Sequence, residues 1–511
     1  MRTLLVTLAA LRLGLSRGEG EGYHWSGKNG DPRRSGWSPH VFKGNFNATP
    51  TWHHEGHYWE LYRSGPLIDD ELNIYLPTSN SNIWKFSKDG KMLWEYHHLG
   101  CGRDCGVAGV PMIYKGALYS ATMKGEAFAV DMKTGKLKWN TVFRPVPPGM
   151  AAAVDIDSHT VLAYNGTVIH ADTDIPLPAT TGGRNCRIVG LNAEDGSIKW
   201  RMALDFFSYN MMAAAVGDGT MVVSDASGGL YRIDMETGER VWRSGYFDRS
   251  CFTTGSIAMA PEGIDLVIAA GNQKMAGSAI HNGPAKYTGI IHAYRVSDGQ
   301  LLWQQLLGPE YEGNQAPAIG YLGKGKTNLS IVAAVGKNPG FMFKMWGWNL
   351  PSFVTEWIHR ADMQDSEWHW LVQRFVKSFL GPQKAAVVAL DAHTGEQRWV
   401  WVVPEDFLGT SSVGDAERLE ERSKYANVAS TICLPDSWNP PIIDGEGKVF
   451  VGDGRSGIAY QLYDLNGDGV IEGPGEVVES HGHDGWLGGM AQAPGMLAGA
   501  ACGGGLKVWK Y

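Results

Sequence analysis

One pattern recurs along this chain: an apolar strand, an Asp or Asn, a turn ending in Gly, and a short strand closed by Trp. It runs through Asp131, Gly135 and Trp139, then Asn192, Gly196 and Trp200, then Asp234, Gly238 and Trp242. It returns at Tyr294, Gly299 and Trp303 and at Asp391, Gly395 and Trp399, with an earlier copy at Phe86, Gly90 and Trp94. The turn glycines supply the positive φ of tight connections. The flanking residues alternate between two faces, and the closing Trp is wide and stiff enough to pack between neighbouring sheets. A single sheet of this kind cannot bury both of its faces, so the copies must stack around an axis. Two of the intervals between closing Trp residues match a propeller blade of about 40–45 residues, and the rest carry insertions. The stretch after Trp399 has room for two more blades, one around 448–460 and one at 505–509. The expected fold is therefore all-β, an eight-bladed β-propeller with a short helical insert, and seven blades is the alternative. Closure calls for an N-terminal strand that pairs with the last blade and removes its exposed edge.

Composition agrees. Gly is frequent (67 residues), Trp is high (20), and only 19% of residues are charged. A net charge of −8 without a basic stripe argues against nucleic acid as a partner. The N-terminus reads as an export signal over 1–19: Arg2, a short apolar run over 4–15, then small and polar residues. The propeller is expected over 23–511, in a secreted or lumenal protein. Three sequons, at Asn47, Asn165 and Asn328, would accept glycans in a eukaryotic secretory route. Cys101 and Cys105 are close enough to bridge in an oxidising compartment. For most of Cys186, Cys251, Cys433 and Cys502, a small buried hydrophobe is the plainer reading.

These repeats resemble the quinoprotein (PQQ) repeats of the pyrroloquinoline-quinone alcohol dehydrogenases, and the segment 25–39 resembles that family's opening segment. The resemblance covers nearly the whole chain after the signal. It is specific for the scaffold rather than for catalysis, because non-enzymatic propellers carry the repeat too. It implies PQQ held over calcium on the ring axis, with a calcium-binding Glu and Asn, a base Asp, a Lys or Arg on the quinone oxygens, and a stacked Trp. By this resemblance Asn272 matches the metal-binding Asn, and Lys337 with Asn338 matches the quinone-facing strand. Glu312 lies nearest the base, although its longer stem shifts the carboxylate. Two expected parts are absent. No Glu stands in 181–187, which weakens an oxygen-ligated calcium site. Thr254 falls at the stacking Trp, where Phe252 is the nearest aromatic.

A second calcium candidate comes from the residues alone. Asp464, Asn466 and Asp468 alternate around Gly467 and Gly469 and are followed by Glu472, so their oxygens could converge on one cation. The twelfth position, where an EF-hand has Glu, is Gly475, and Glu476 comes one later. A calcium-binding hairpin loop, or an acidic turn without an ion, is expected. The insert 341–380 is rich in Trp, and Trp368, Val372, Phe375 and Phe379 have helical spacing. It reads most simply as a helix packed on the rim. Capping one mouth, touching a membrane surface and meeting a partner are its other roles. Two functions follow. One is a PQQ- and calcium-dependent oxidoreductase acting on a small-molecule alcohol, with a partly degenerate site. The other is a non-catalytic propeller that binds a protein or glycan ligand.

Overall fold

In the computed structural model the described residues are 22–56, 64–78, 82–98, 111–146, 161–173, 186–274, 287–308, 311–336, 384–404 and 438–511, apart from short gaps at 123, 207, 209, 211, 249 and 324–326, together with Val413. Their strands form eight antiparallel sheets in chain order. Blade 1 spans 67–97, blade 2 112–142, blade 3 162–203 and blade 4 213–245. Blade 5 spans 251–308, blade 6 318–402 and blade 7 442–480. Blade 8 combines 486–510 with the strand Trp52–His54, whose residues pair with Val508, Lys507 and Leu506. The ring therefore has eight blades and closes by the N-terminal strand, as the repeat demands. No helix is present among the described residues, and the expected helical insert 341–380 and the expected signal 1–19 lie outside them. Cys502, fully buried, is disulfide-bonded, which departs from the expectation of a packed thiol. Cys251 is free and buried, and burial pushes its thiol up to about 12, so it packs as a hydrophobe.

The closing Trp residues explain how the blades hold together. Five of the six span the seam to the next blade, where the indole N–H donates to a backbone carbonyl in the turn. Trp94 bonds Met132 at 3.1 Å, Trp139 bonds Ala193 at 3.0 Å, and Trp200 bonds Met235 at 2.9 Å. Trp242 and Trp303 repeat the contact on Val296 and Ala392. The ring lies flat on the turn glycine. A Cβ at Gly196 would come within 2.4 Å of Trp139, and the residue's φ of +74° is itself a glycine conformation. The repeat thus encodes the seam between blades as well as the hairpin within one.

The hub is built by residues 25–40, which circle the axis in the order of the blades. Trp25 exchanges two backbone hydrogen bonds with Ile68 of blade 1, and Ser26 accepts from Ile113 of blade 2. Pro32 accepts from Ala215 of blade 4, Arg33 from Met259 of blade 5, Ser35 from Ile319 of blade 6, and Gly36 from Ile443 of blade 7. Gln492 of blade 8 donates to the His40 carbonyl. The fully buried Arg34 supplies the remaining contact. Its guanidinium donates to the carbonyls of Val161, just before blade 3, Ala213 and Lys28, and reaches the Met112 sulfur. Desolvation lowers its pKa to about 10, so it stays charged at neutral pH.

The two ends of the ring differ. Connections from third to fourth strands, and from first to second, have at most seven residues, except for one acidic loop at 463–476. Connections from second to third strands, and from each outer strand to the next blade, leave at the other end and include 143–161, 174–185, 275–286, 337–384 and 403–441. These ends are called the turn face and the insert face. The exposed sequon residues Asn165 and Asn328 both sit on the turn face.

Arg34→Met removes the donors to three carbonyls while keeping bulk. It is expected to lower the unfolding free energy by about 3 kcal/mol, measured by urea denaturation, whereas the exposed Arg240→Met changes it by less than about 0.5 kcal/mol.

Candidate functional site

Strand Val267–Lys274 is the second strand of blade 5, and its sequence is apolar until Asn272 near its insert-face end. Burial on both sides explains the apolar run. The amide that ends it must then find partners. Asn272 Nδ2 donates to Asn314 Oδ1 at 2.7 Å, and the Gly313 N–H donates to Asn272 Oδ1 at 2.8 Å. Asn314 Nδ2 donates in turn to Glu312 Oε2 at 3.0 Å. The fold therefore brings together two residues singled out in the sequence, Asn272 and the half-buried Glu312, through a third that was not, Asn314.

The chain of polar contacts continues toward the axis. Thr254 Oγ1 donates to the Asn314 carbonyl at 3.1 Å, and Asn210 Nδ2 donates to the Thr254 carbonyl at 3.4 Å. Lys28 Nζ donates to Asn210 Oδ1 at 2.8 Å. Lys28 sits at the tip of a hairpin turn in the hub segment, where Gly27 and Gly30 exchange backbone hydrogen bonds. The neighbouring Asn29, also at the tip, donates to the Pro317 carbonyl at 3.2 Å. Lys28, Asn210 and Asn314 escaped sequence reasoning because they come from three distant segments. The one available signal was that Asn314 stands two residues after Glu312.

Lys337, Asn338, Cys101 and Cys105 lie outside the described residues. Phe252 is the cross-strand partner of Asn272, but its ring packs on the apolar core that runs through blades 2 to 4. Thr254, at the stacking position, is buried, its hydroxyl is engaged, and it has no π-face. Among the described residues, no three His, Cys, Asp or Glu side chains are gathered to hold a metal. Calcium favours six to eight oxygens with carboxylates among them. The residues described around Asn272 offer an amide already fixed by Asn314 and Gly313, with Glu312 joined to the same Asn314. They do not fit PQQ over calcium.

The acidic loop is a separate place, on the turn face of blade 7. Its oxygens turn inward onto its own backbone. Asp464 accepts from the N–H groups of Gly467 and Gly469, and Asp468 Oδ1 accepts from that of Val470. Asn466 Oδ1 accepts from the Asp468 N–H, and its Nδ2 donates to Asp468. Glu472 is exposed and contributes its backbone N–H, which donates to Glu476. Glu476 is buried and also accepts from Leu465 and Asn466. The carboxylate that closes this loop is thus Glu476 rather than Glu472. The loop also interrupts the Trp-on-glycine seam between blades 6 and 7. A cavity of about 390 Å³ opens there, lined by Trp399, Asp391, Arg398, Asp464 and Gly469.

Comparison with known proteins sets this geometry in context. A family profile for PQQ repeats, carrying the description "outer membrane protein assembly factor BamB", matches residues 21–174 and 178–324. The chain belongs to this PQQ-repeat propeller family. Among curated members, it is 24% identical over 202 residues to the outer membrane protein assembly factor BamB of Yersinia pestis, covering 37% of this chain and 42% of that protein. It is also 24% identical over 189 residues to the quinoprotein alcohol dehydrogenase PedH of Pseudomonas putida, covering 35% of this chain and 28% of that protein. The matched stretches thus span less than half the length of either PQQ-repeat relative. The crystal structure of BamB from Moraxella catarrhalis superposes with a TM-score of 0.51 at 14% identity, covering 88% of this chain and 97% of that one. That likeness is one of fold. The family therefore contains both a protein named for assembly and one named for alcohol oxidation, and the site has to decide between them.

Asn272→Ala leaves the Gly313 N–H and Asn314 Oδ1 without their buried partners. A loss of about 2–3 kcal/mol in unfolding free energy is expected by urea denaturation. On the other face, Glu476→Ala is expected to cost about 2 kcal/mol and Glu472→Ala less than about 0.5 kcal/mol, with the two variants compared by the same measurement.

Proposed function

We propose that this protein is an extracytoplasmic, non-catalytic propeller that docks a protein partner on its insert face. The observation that carries this reading is the closed amide network at Asn272. Where a quinone and its cation would need open donors, Asn272, Asn314 and the buried Thr254 bond to one another. The family description naming an outer membrane assembly factor supports the same reading. So does the fact that the strand ends from which the long connections leave lie at one end of the ring, since binding residues concentrate on loops held by a rigid scaffold. One exposed aromatic on that end is already held in place. Phe247 is 75% exposed, and the Arg243 guanidinium lies 3.8 Å from its ring centroid. Arg243 is itself paired with Asp205 at 2.9 Å. A fixed, exposed aromatic is the kind of anchor protein interfaces use.

Two measurements test the proposal. Micromolar PQQ with calcium is expected to give no saturable binding by absorbance and no dye-linked alcohol oxidation. Stoichiometric PQQ binding with turnover would overturn the non-catalytic reading and restore an oxidoreductase. A photo-crosslinking residue at Phe247 is expected to give a discrete protein adduct in cells exporting the protein, while the same residue at Leu465 on the turn face gives none. Equal labelling at both positions would remove the insert face as the docking surface.

A further inference from the structure

Among the described residues, no further strand pairs with the outer edge of any blade's outermost strand. Such edges are sites of unwanted pairing, and native proteins blunt them with charge or by keeping them short. Seven of the eight conform. Met92–His97 carries Glu95, Leu137–Val142 carries Lys138, Ile198–Ala203 carries Lys199 and Arg201, and Arg240–Gly245 carries Arg240 and Arg243. Gln397–Val402 carries Arg398, Val477–Ser480 carries Glu479, and Trp52–His54 has only three residues, two of them His.

Blade 5 is the exception. Its outer strand Leu301–Gly308 reads Leu-Leu-Trp-Gln-Gln-Leu-Leu-Gly, with eight residues and no ionisable side chain. Among the described residues it pairs only with Tyr287–Tyr294 on its inner side, with a register shift near each end. Leu301, Leu302 and Leu306 are 44%, 42% and 52% exposed. An edge that is long, uncharged and leucine-bearing is suited to receive another extended strand, because unpaired N–H and C=O groups call for an extended backbone as partner.

The sequence specifies which strand. It is nearly the same read in either direction about Gln304. Antiparallel pairing of two copies across a two-fold axis at Gln304 sets Leu302 opposite Leu306 of the second copy, Gln304 opposite Gln304, and Leu301 opposite Leu307. Leucine meets leucine, Gln304 meets its own copy, Trp303 meets Gln305, and no like charges meet. We propose that this edge is a homodimer interface, in which blade 5 of two copies forms one sheet continuous across the two-fold axis. Such an isologous contact uses each edge once, so it closes as a dimer and does not propagate into a fibre.

Size-exclusion chromatography with light scattering on the full chain tests this. A species of twice the 55.7 kDa chain mass is expected, dissociating on dilution. Gln304→Lys sets like charges face to face at the axis, and the dimer should weaken by about tenfold or more (about 1.4 kcal/mol per tenfold). Gln304→Cys should give a disulfide-linked dimer on oxidation, because each residue meets its own copy at the axis, whereas Met92→Cys on the blade 1 edge should not. Gln304 is exposed, and circular dichroism of both variants checks that the fold is kept. A chain that is monomeric at every concentration overturns the proposal. So does a dimer that Gln304→Lys leaves intact and Gln304→Cys fails to link.

Discussion

A ring of sheets brings eight innermost strands to one axis, where their outward-facing backbone groups must find partners or stay exposed to a narrow channel. Residues 25–40 meet that requirement by visiting the blades in turn, ending at blade 8 with His40. Arg34 is the fixed point of this arrangement. A buried guanidinium is costly to desolvate, and carbonyl oxygens drawn from separate parts of the hub are what offset the cost here. The same segment reaches the candidate site, because the turn that carries Lys28 delivers its ammonium to Asn210 and so to the network at Thr254 and Asn314. Scaffold and site therefore share one piece of chain.

The seams obey a different rule. Between most blades a Trp lies on the turn glycine of the next blade and bonds the carbonyl beside that turn. The acidic loop of blade 7 breaks this series and replaces a tight turn with a longer loop held by Glu476. The break leaves the cavity beside Trp399. The result is a molecule with two unlike ends: a turn face of short connections with one acidic loop, and an insert face where the chain lengthens repeatedly. Asn272 belongs to the insert-face end and Asp464 to the other, so the two candidate metal places in the sequence cannot serve one site.

The site was only half legible in advance. Asn272 and Glu312 stood out through the family resemblance, as the matches to its metal-binding Asn and its base. Nothing local marked Asn314 as the residue that joins them, because its role depends on the packing of blade 5 against the connection into blade 6. Glu472 was the natural choice of acidic residue by spacing, yet loop curvature turned Glu476 inward instead. In each case the missing information was which side chain a bend in the backbone would bury.

The sequence by itself determined the kind of blade and left their number at eight or seven, because turn glycine, alternating strand and closing Trp are local signals that repeat; the strand pairing fixed the number at eight. The sequence also determined that the chain must close through its N-terminus, since a propeller with an open edge would leave a strand unpaired. Only the tertiary structure decided that residues 25–40 would form the hub, that the amides of distant segments would satisfy one another at Asn272, and that the long connections would leave from one face. These outcomes depend on distances across the ring between residues hundreds of positions apart. A local pattern carries no information about such distances until the blades are in place.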